Sequence, residues 1–178
     1  MTRRLFAIVI SAFLTITPQV AAAQGADAAT AALGALRSNW QNVVANIAKA
    51  AEELSEEDYA YRPVGTVRTF GQMIGHIAGS RLMMCAAALG DKQPAEDAVE
   101  KAATTKVALV QALKESSTYC DRAYTQDAAG TGAAVEMFGS PTTRFGALAL
   151  NAIHDGEHYG NIITYMRMKG MVPPSSRR

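Results

Sequence analysis

The sequence predicts an all-α protein, a four-helix bundle formed by a single domain. The chain has 178 residues, which is the size of one ordinary domain. Its apolar residues recur three and four positions apart over long stretches, the spacing that places them on one helical face. These stretches begin and end at recognisable helix signals. Four helices of roughly 20 to 28 residues fit most simply into a four-helix bundle.

The composition excludes several classes of protein. Hydrophobic residues make up 49% of the chain and charged residues 19%, which is typical of a globular protein and not of a disordered, collagen-like or disulfide-rich one. The 17 basic and 16 acidic side chains nearly cancel, whereas proteins that bind nucleic acid normally carry a basic surplus. We therefore expect no nucleic-acid partner.

The start of the chain has the pattern of a cleavable secretory signal. An apolar run over 5–16 follows the basic residues of 1–4, and three alanines at 21–23 provide the small residues of a cleavage site. The apolar run is shorter than the roughly 20 residues that cross a bilayer as a helix. We expect a signal peptide at 1–23, a mature domain at 24–178 that is periplasmic or secreted, and no stable membrane insertion after cleavage.

The first helix is predicted from Ala29 to Leu54. The apolar positions on its buried face are Leu33, Leu36, Trp40, Val43, Ile47, Ala50 and Leu54. They alternate three and four apart, which favours a helix over a strand. Residues 55–68 show neither the helical nor the strand period, so they are predicted to form a long connection.

The second and third helices are predicted from their end signals. Thr69 and Gln72 match a capping box, so a helix should run from Phe70 to about Leu89 and stop at Gly90. The third helix should run from Thr104 to near Asp127. The segment between these two helices is either a crossover or a weak start to the third helix.

The fourth helix is predicted to begin at Ser140. This residue would be the N-cap, and Pro141 would occupy the first helical position, where its missing N–H costs nothing. Lys169 and Gly170 close the helix, because a cation suits the negative end of the helix dipole and glycine accepts a left-handed cap. The prolines at 173–174 are consistent with this end.

Three histidines form a candidate metal site. His154 and His158 are four residues apart on the predicted fourth helix, so they share one face. His76 lies on the second helix and can supply a third ligand across the bundle. Three neutral imidazoles leave coordination positions open to water or substrate, as in catalytic metal sites. The alternatives are a core or capping role for His76 and a solvated face for the other two.

Other polar residues are candidates for contacts with the ligands or with a substrate. Asn151, Asn161 and Tyr165 share the histidine face, with buried hydrogen bonding as the alternative role. Asp155 either orients an imidazole or is solvated, and we favour solvation. Glu157 completes an H-x-x-E-H pattern, but no acidic residue follows it to complete a peptidase site.

Two further hypotheses concern aromatic residues and methionines. Trp40 and Tyr59 are candidates to line a pocket at the metal, with core or loop packing as the alternative. Methionines near His76 allow a copper site in principle, although methionine at helical spacing usually fills the core. These methionines are Met73, Met83 and Met84.

Two blocks of sequence resemble the DinB/YfiT-like family of metalloenzymes. The first consists of Tyr61-Arg62-Pro63, the VRTFG string at 67–71 and His76. The second consists of the HDGEHYG string at 154–160 and the MKGMVPPS string at 168–175. The resemblance covers essentially the whole mature chain. It implies a four-helix bundle of up-down-down-up topology and a divalent metal bound by three histidines, which match His76, His154 and His158 here.

The resemblance also implies a class of chemistry. Characterised members of this family include metal-dependent transferases and isomerases that use low-molecular-weight thiols, and a cation stabilises the thiolate that such reactions need. Thiol cofactors are chiefly cytosolic, so an exported member is expected instead to activate water for hydrolysis. The alternative is a non-catalytic metal-binding or interaction module. Imidazole ligands suggest zinc or nickel, the small-molecule substrate is unknown, and dimers among relatives make a homodimer possible.

Whether the two cysteines can form a disulfide depends on the directions of the second and third helices. Cys85 and Cys120 lie at similar depths in the predicted second and third helices, so parallel helices place them at one level. Antiparallel helices would separate them by more than about 10 Å, beyond the Cα separation of about 7 Å that a disulfide tolerates. The family's parallel middle pair and an oxidising compartment both favour a disulfide. Two buried thiols are the alternative.

Overall fold

A computed structural model describes residues 18–177, with side chains from residue 27 onwards. Most of the predicted signal peptide, residues 1–17, lies outside the described residues. The helices are α1 (Pro18–Glu53), α2 (Phe70–Leu89), α3 (Ala98–Ala102), α4 (Lys106–Tyr124) and α5 (Arg144–Met168), and the strands are β1 (Ala134–Met137) and β2 (Ser140–Thr143). Single 3-10 turns occur at Glu57–Ala60, Ala128–Gly130 and Pro174–Ser176. The predicted all-α fold is confirmed, with α1, α2, α4 and α5 as its four long helices.

Helices α2 and α4 lie side by side and run in the same direction. Arg81 Nη1 donates a hydrogen bond to Ser117 Oγ at 2.6 Å. One turn further along both helices, Cys85 and Cys120 form a disulfide with a Cα–Cα distance of 5.3 Å. Contacts that advance together along both helices require a parallel pair, so the structure resolves the two readings of the cysteines in favour of the bridge.

The remaining helix directions follow from three contacts. His158 meets His76, whereas the earlier Asp155 of α5 meets the later Arg81 of α2, so α5 is antiparallel to α2. Near the middle of α1, Arg37 pairs with Asp121 near the end of α4. At the end of α1 and directly after it, the carbonyls of Glu52 and Leu54 accept from Lys106 at the start of α4. Therefore α1 and α5 point one way, and α2 and α4 point the other.

The start of α2 agrees with the sequence signals. The Thr69 hydroxyl accepts from the backbone N–H of Gln72 at 3.1 Å, and the Gln72 side chain accepts from the backbone N–H of Thr69 at 2.9 Å. At the other end, Gly90 adopts a left-handed conformation with φ of 77°, which glycine reaches without steric cost. The predicted bounds of this helix are confirmed.

The predicted start of the fourth long helix at Ser140 and Pro141 is wrong. These two residues belong to β2, which pairs antiparallel with β1. The turn between the strands has positive φ at Phe138 and Gly139, the geometry that matches the twist of a two-residue hairpin. Proline fits there because a two-stranded sheet has only edge strands. The helix begins at Arg144, three residues after the predicted first helical position, and the Thr143 hydroxyl caps it by accepting from the backbone N–H of Gly146.

Other helix ends also differ from the predicted ones. The helix α1 extends back to Pro18 through an alanine-rich stretch, which has high helix propensity. The helix α4 begins at Lys106 with Thr105 as its N-cap and ends at Tyr124. The ambiguous segment before it contains the five-residue helix α3.

Buried polar side chains form a layer across the middle of the bundle. One apolar cluster lies on the side that includes Phe70 and Tyr165, and a second cluster lies on the side that includes Trp40 and Tyr124. Along the helices, the buried polar residues lie between these two clusters. They are His76, Ser80, Arg81, Ser116, Asn151, Asp155 and His158. Because buried polar groups require partners, this layer is the natural place to look for function.

None of the helices in the described part of the chain has an apolar stretch long enough to cross a lipid bilayer.

Candidate metal centre

Three imidazole nitrogens converge between α2 and α5. The Nε2 atom of His76 lies 3.1 Å from Nε2 of His158 and 3.2 Å from Nε2 of His154. The Nε2 atoms of His154 and His158 are 3.0 Å apart. The structure thus brings together all three histidines that the sequence singled out, each through the same ring nitrogen.

The helices explain how the rings reach one point. His154 and His158 are one turn apart on α5 and therefore project side by side. His76 projects from the antiparallel helix α2 at the same level. His76 and His158 are buried and His154 is half-buried, so the cluster is more accessible on the His154 side.

The spacing of the three nitrogens fits a divalent cation. An equilateral triangle with edges of about 3.1 Å places each corner about 1.8 Å from its centre, so an ion slightly off the plane lies at the zinc–imidazole bond length of about 2.0–2.1 Å. A neutral imidazole carries one N–H and one lone pair. When three rings direct the same nitrogen to one centre, the three nitrogens cannot all form hydrogen bonds with one another. A cation at the centre can accept all three lone pairs, so this set of nitrogens suits a metal.

The opposite ring nitrogens have different surroundings. Nδ1 of His158 is 3.3 Å from the side-chain amide of Asn161. Nδ1 of His76 is 3.5 Å from Ser80 Oγ and 4.0 Å from a carboxylate oxygen of Glu100. Nδ1 of His154 is buried without a hydrogen-bond partner among the described residues. Two of the three rings therefore have polar groups that can fix their orientation.

Burial keeps all three imidazoles neutral near pH 7. It lowers the pKa of His76 to about 3 and that of His158 to about 4, and it also lowers the pKa of His154. The positive charge of Arg68 acts in the same direction on each. Neutral imidazole is the form that binds metals, so protons compete weakly for these nitrogens at neutral pH.

We expect the metal-free protein to lose stability between pH 7 and pH 5. In the unfolded chain a histidine has a pKa near 6.5, so it takes up a proton in this range while the folded imidazole does not. The free energy of unfolding should fall by up to about 1.4 kcal/mol per pH unit for each such histidine. Urea unfolding at pH 7, 6 and 5 measures this slope, and a flat profile would contradict it.

The pH range separates this effect from that of the carboxylates. Salt bridges and hydrogen bonds lower the pKa of Glu53 and Asp58 in the folded protein. Their contribution to stability is therefore present above their unfolded pKa values near 4 and is lost as the pH falls from there through their lower folded pKa values, below the range of the histidine test.

Asp155 is buried rather than solvated, so the preference for solvation is wrong. Its Oδ2 atom accepts from Trp40 Nε1 at 2.9 Å and from Arg81 Nε at 3.1 Å. Arg81 is equally buried and continues to Ser117 on α4. This network joins α1, α2, α4 and α5 next to the histidines. Sequence analysis missed Arg81, because an arginine between apolar residues of α2 gave no sign of its partners.

The other sequence candidates divide into two groups. Asn161 contacts a candidate ligand, as described above. By contrast, Tyr165 donates to the backbone carbonyl of Arg68 at 2.8 Å, and Asn151 accepts from Tyr124 at 3.0 Å. Both residues are buried, so they make the buried hydrogen bonds named as the alternative. Glu157 is exposed.

The aromatic and methionine candidates lie mainly in the core. Trp40 stacks on Tyr124 and contacts Asp155 rather than the histidines. Tyr59 packs against Phe70 and donates to the carbonyl of Ala51; it also lines a cavity of about 370 Å³ that Glu100 borders. The three methionines named above are all buried in the apolar clusters.

Sequence analysis also missed three charged residues near His76. Glu100 Oε2 is 3.2 Å from Arg68 Nε, and Glu96 accepts from Ser80 Oγ at 2.9 Å. Both glutamates lie in the connection between α2 and α4, where no sequence period could indicate which side chains face α2. A family alignment or a contact map would have been needed to find them.

Comparisons with known proteins agree on the family. A family model described as the DinB superfamily matches residues 35–162. No curated protein matches the sequence significantly. Among solved structures, a DinB-like protein from Bacillus cereus ATCC 10987 aligns with a TM-score of 0.66 and 18% identity, covering 78% of this chain and 93% of the other.

Two further structures share the fold. A DinB-like protein from Bacillus subtilis aligns with a TM-score of 0.52 and 18% identity over 80% of this chain and 98% of its own. A histidine-to-alanine mutant of the mycothiol-dependent maleylpyruvate isomerase aligns with a TM-score of 0.58 and 14% identity over 75% of this chain and 65% of its own. The family model covers well over half of the sequence, and the chain therefore belongs to the DinB superfamily.

Proposed function

We propose that the protein binds one divalent cation through His76, His154 and His158 and uses it to hydrolyse a small molecule. The observation that carries this proposal is the mutual separation of 3.0–3.2 Å between the three Nε2 atoms. A divalent cation at this point supplies a Lewis acid that lowers the pKa of a bound water or thiol.

The protein's own residues favour an open catalytic site over a closed structural one. The described residues offer three nitrogen ligands at this point, whereas a closed structural zinc site normally has four protein ligands. The half-buried His154 leaves one side of the cluster accessible, while the burial of His76 and His158 keeps water from reaching the other sides freely. Asn161 is placed to hold the His158 ring in one orientation.

A thiol-dependent transfer reaction is the second candidate function. It is supported by the similarity of the fold to a mycothiol-dependent isomerase. We favour hydrolysis because the sequence pattern at 1–23 indicates export, and low-molecular-weight thiols are chiefly cytosolic. Periplasmic or secreted location, a homodimer, and zinc or nickel as the metal are parts of this proposal.

We expect the protein purified without added metal to contain close to one divalent cation per chain. His154→Ala and His158→Ala should each reduce that content to a small fraction, because two imidazoles bind far more weakly than three. Elemental analysis by mass spectrometry provides the measurement. Asn151→Ala is the matched control on the same helix, because its side chain hydrogen-bonds in the core. Metal content that is low and unaffected by both histidine changes would exclude the site.

Activity assays then separate the candidate functions. The metal-loaded protein is tested against ester, amide and thiol-adduct substrates, with the His154→Ala variant as the blank. Turnover of esters or amides that the blank lacks supports hydrolysis, and turnover that requires an added thiol supports transfer. Stoichiometric metal with no turnover in any class would favour the non-catalytic metal-binding module.

A further inference from the structure

The segment that carries Glu96 and Glu100 is pressed directly against α2 beside His76. Two glycines of α2 make this approach possible. A Cβ atom at Gly75 would lie 2.8 Å from the Cα atom of Glu100, and a Cβ atom at Gly79 would collide with the backbone carbonyl of Glu96. Any larger residue at either position would force the segment away, so the glycines permit a close contact at the level of the metal site.

The contact places the Glu100 carboxylate near the ring nitrogen of His76 that faces away from the metal point, and it places the Glu96 carboxylate on Ser80, which lies beside the same nitrogen. Glu96 Oε1 accepts a hydrogen bond from Ser80 Oγ at 2.9 Å, and Ser80 Oγ lies 3.5 Å from Nδ1 of His76. Glu100 approaches the same Nδ1 to 4.0 Å. Its carboxylate is itself held by Arg68 Nε, at 3.2 Å and 3.3 Å from the two oxygens.

These contacts select one tautomer of His76. The single hydroxyl hydrogen of Ser80 is used on Glu96, so towards Nδ1 the Ser80 oxygen can only accept. A carboxylate near Nδ1 also favours a proton on that nitrogen. With Nδ1 protonated, the lone pair of the neutral ring is on Nε2, which is the atom that faces His154 and His158.

We propose that Glu96 and Glu100 are positioning residues that hold His76 as its Nδ1–H tautomer and thereby prepare Nε2 to bind the metal. The inference rests on the proposed metal site, but it makes a separate statement about the metal-free protein. In known metal sites, such carboxylate and hydroxyl partners fix the orientation of the ring and raise its basicity. His154, whose Nδ1 has no described partner, lacks this support.

The test uses a double variant of the full chain, Glu96→Ala with Glu100→Ala. The first change frees the Ser80 hydroxyl to donate to Nδ1, and the second removes the charge that favours Nδ1–H. We expect ¹⁵N NMR of the metal-free protein to show His76 as the Nδ1–H tautomer in the wild type and as a mixture in the variant. We also expect the zinc Kd, from chelator competition, to rise about 10- to 100-fold.

Glu157→Ala is the matched control, because it removes an exposed carboxylate whose charge acts on His154 and His158 without any described hydrogen bond to them. Its zinc Kd should stay within about twofold of the wild type. The conservative double variant, Glu96→Gln with Glu100→Gln, keeps an acceptor for Ser80 and should restore much of the Nδ1–H tautomer. Circular dichroism and Tm test whether each variant is folded. Both glutamates are partly exposed, so we expect their replacement to leave the fold intact.

Two results would overturn the inference: an unchanged His76 tautomer in the double alanine variant, or a zinc Kd equal to that of Glu157→Ala. Failure of the proposed function looks different. A wild type that binds neither zinc nor nickel would exclude the proposed metal site, while the NMR measurement would still decide whether the glutamates control His76.

Discussion

Asp155→Ala should destabilise the protein by about 3–5 kcal/mol, because it leaves a buried guanidinium without its anion. Asp155 and Arg81 are both fully buried, and Arg81 Nε donates to Asp155 at 3.1 Å. The same carboxylate oxygen accepts from Trp40 Nε1, so the substitution also leaves the indole N–H unpaired. Urea unfolding of the metal-free full chain measures the loss.

A double substitution separates the free-energy cost of leaving one buried charge unpaired from the contribution of the ion pair to stability. Arg81→Met with Asp155→Leu removes both charges and fills a similar volume, so it should be far less destabilising than Asp155→Ala and can even be stabilising. A loss below about 1 kcal/mol for Asp155→Ala would contradict the buried ion pair, given typical costs of breaking one. Measuring without metal keeps the neighbouring His154 from contributing through metal binding.

The position of this pair relates it to the histidine cluster. Arg81 lies just beyond one turn after His76 on α2, and Asp155 directly follows His154 on α5. Through Ser117 and Trp40 the network also reaches α4 and α1. A fixed pair at this level holds α2 and α5 in the register that brings the histidines together. The double substitution above should therefore retain the fold but weaken metal binding more than its stability suggests.

The parts of the fold that the sequence predicted correctly are those with local causes. The capping box at Thr69 and the left-handed Gly90 act within one helical turn, so their signals are readable from a few neighbouring residues. The spacing of His154 and His158 is local in the same way. The prediction that His76 joins this pair had no local cause. It depended on the small number of histidines in the chain and on the resemblance to a family.

The parts that the sequence did not predict have distant causes. The burial of Asp155 depends on Arg81 and Trp40, which are 74 and 115 positions away. Glu100 can face His76 because Gly75 lets the short helix α3 approach α2 closely. The hairpin before α5 was mistaken for a helix start because a serine and a proline are typical of both, and only strand pairing separates the two readings.

Removing the disulfide should lower the free energy of unfolding by about 4 kcal/mol, from the entropy of the closed loop in the unfolded chain. The bridge joins residues separated by 35 positions and links the parallel helices α2 and α4. The test compares the oxidised wild type with Cys85→Ala plus Cys120→Ala in urea unfolding. The reduced wild type is the control, because it keeps both side chains and lacks only the bond.

The two comparisons distinguish the bond from the packing. Both cysteines are fully buried, so a loss that occurs in the alanine variant but not in the reduced wild type would be due to lost packing and would contradict the prediction.

Intact mass of the protein recovered after export should show a bridge between Cys85 and Cys120 and the loss of residues 1–23. A bridge formed only after exposure to air would instead indicate a reducing compartment. It would favour thiol-dependent transfer over hydrolysis as the proposed function, because low-molecular-weight thiols would then be present with the protein.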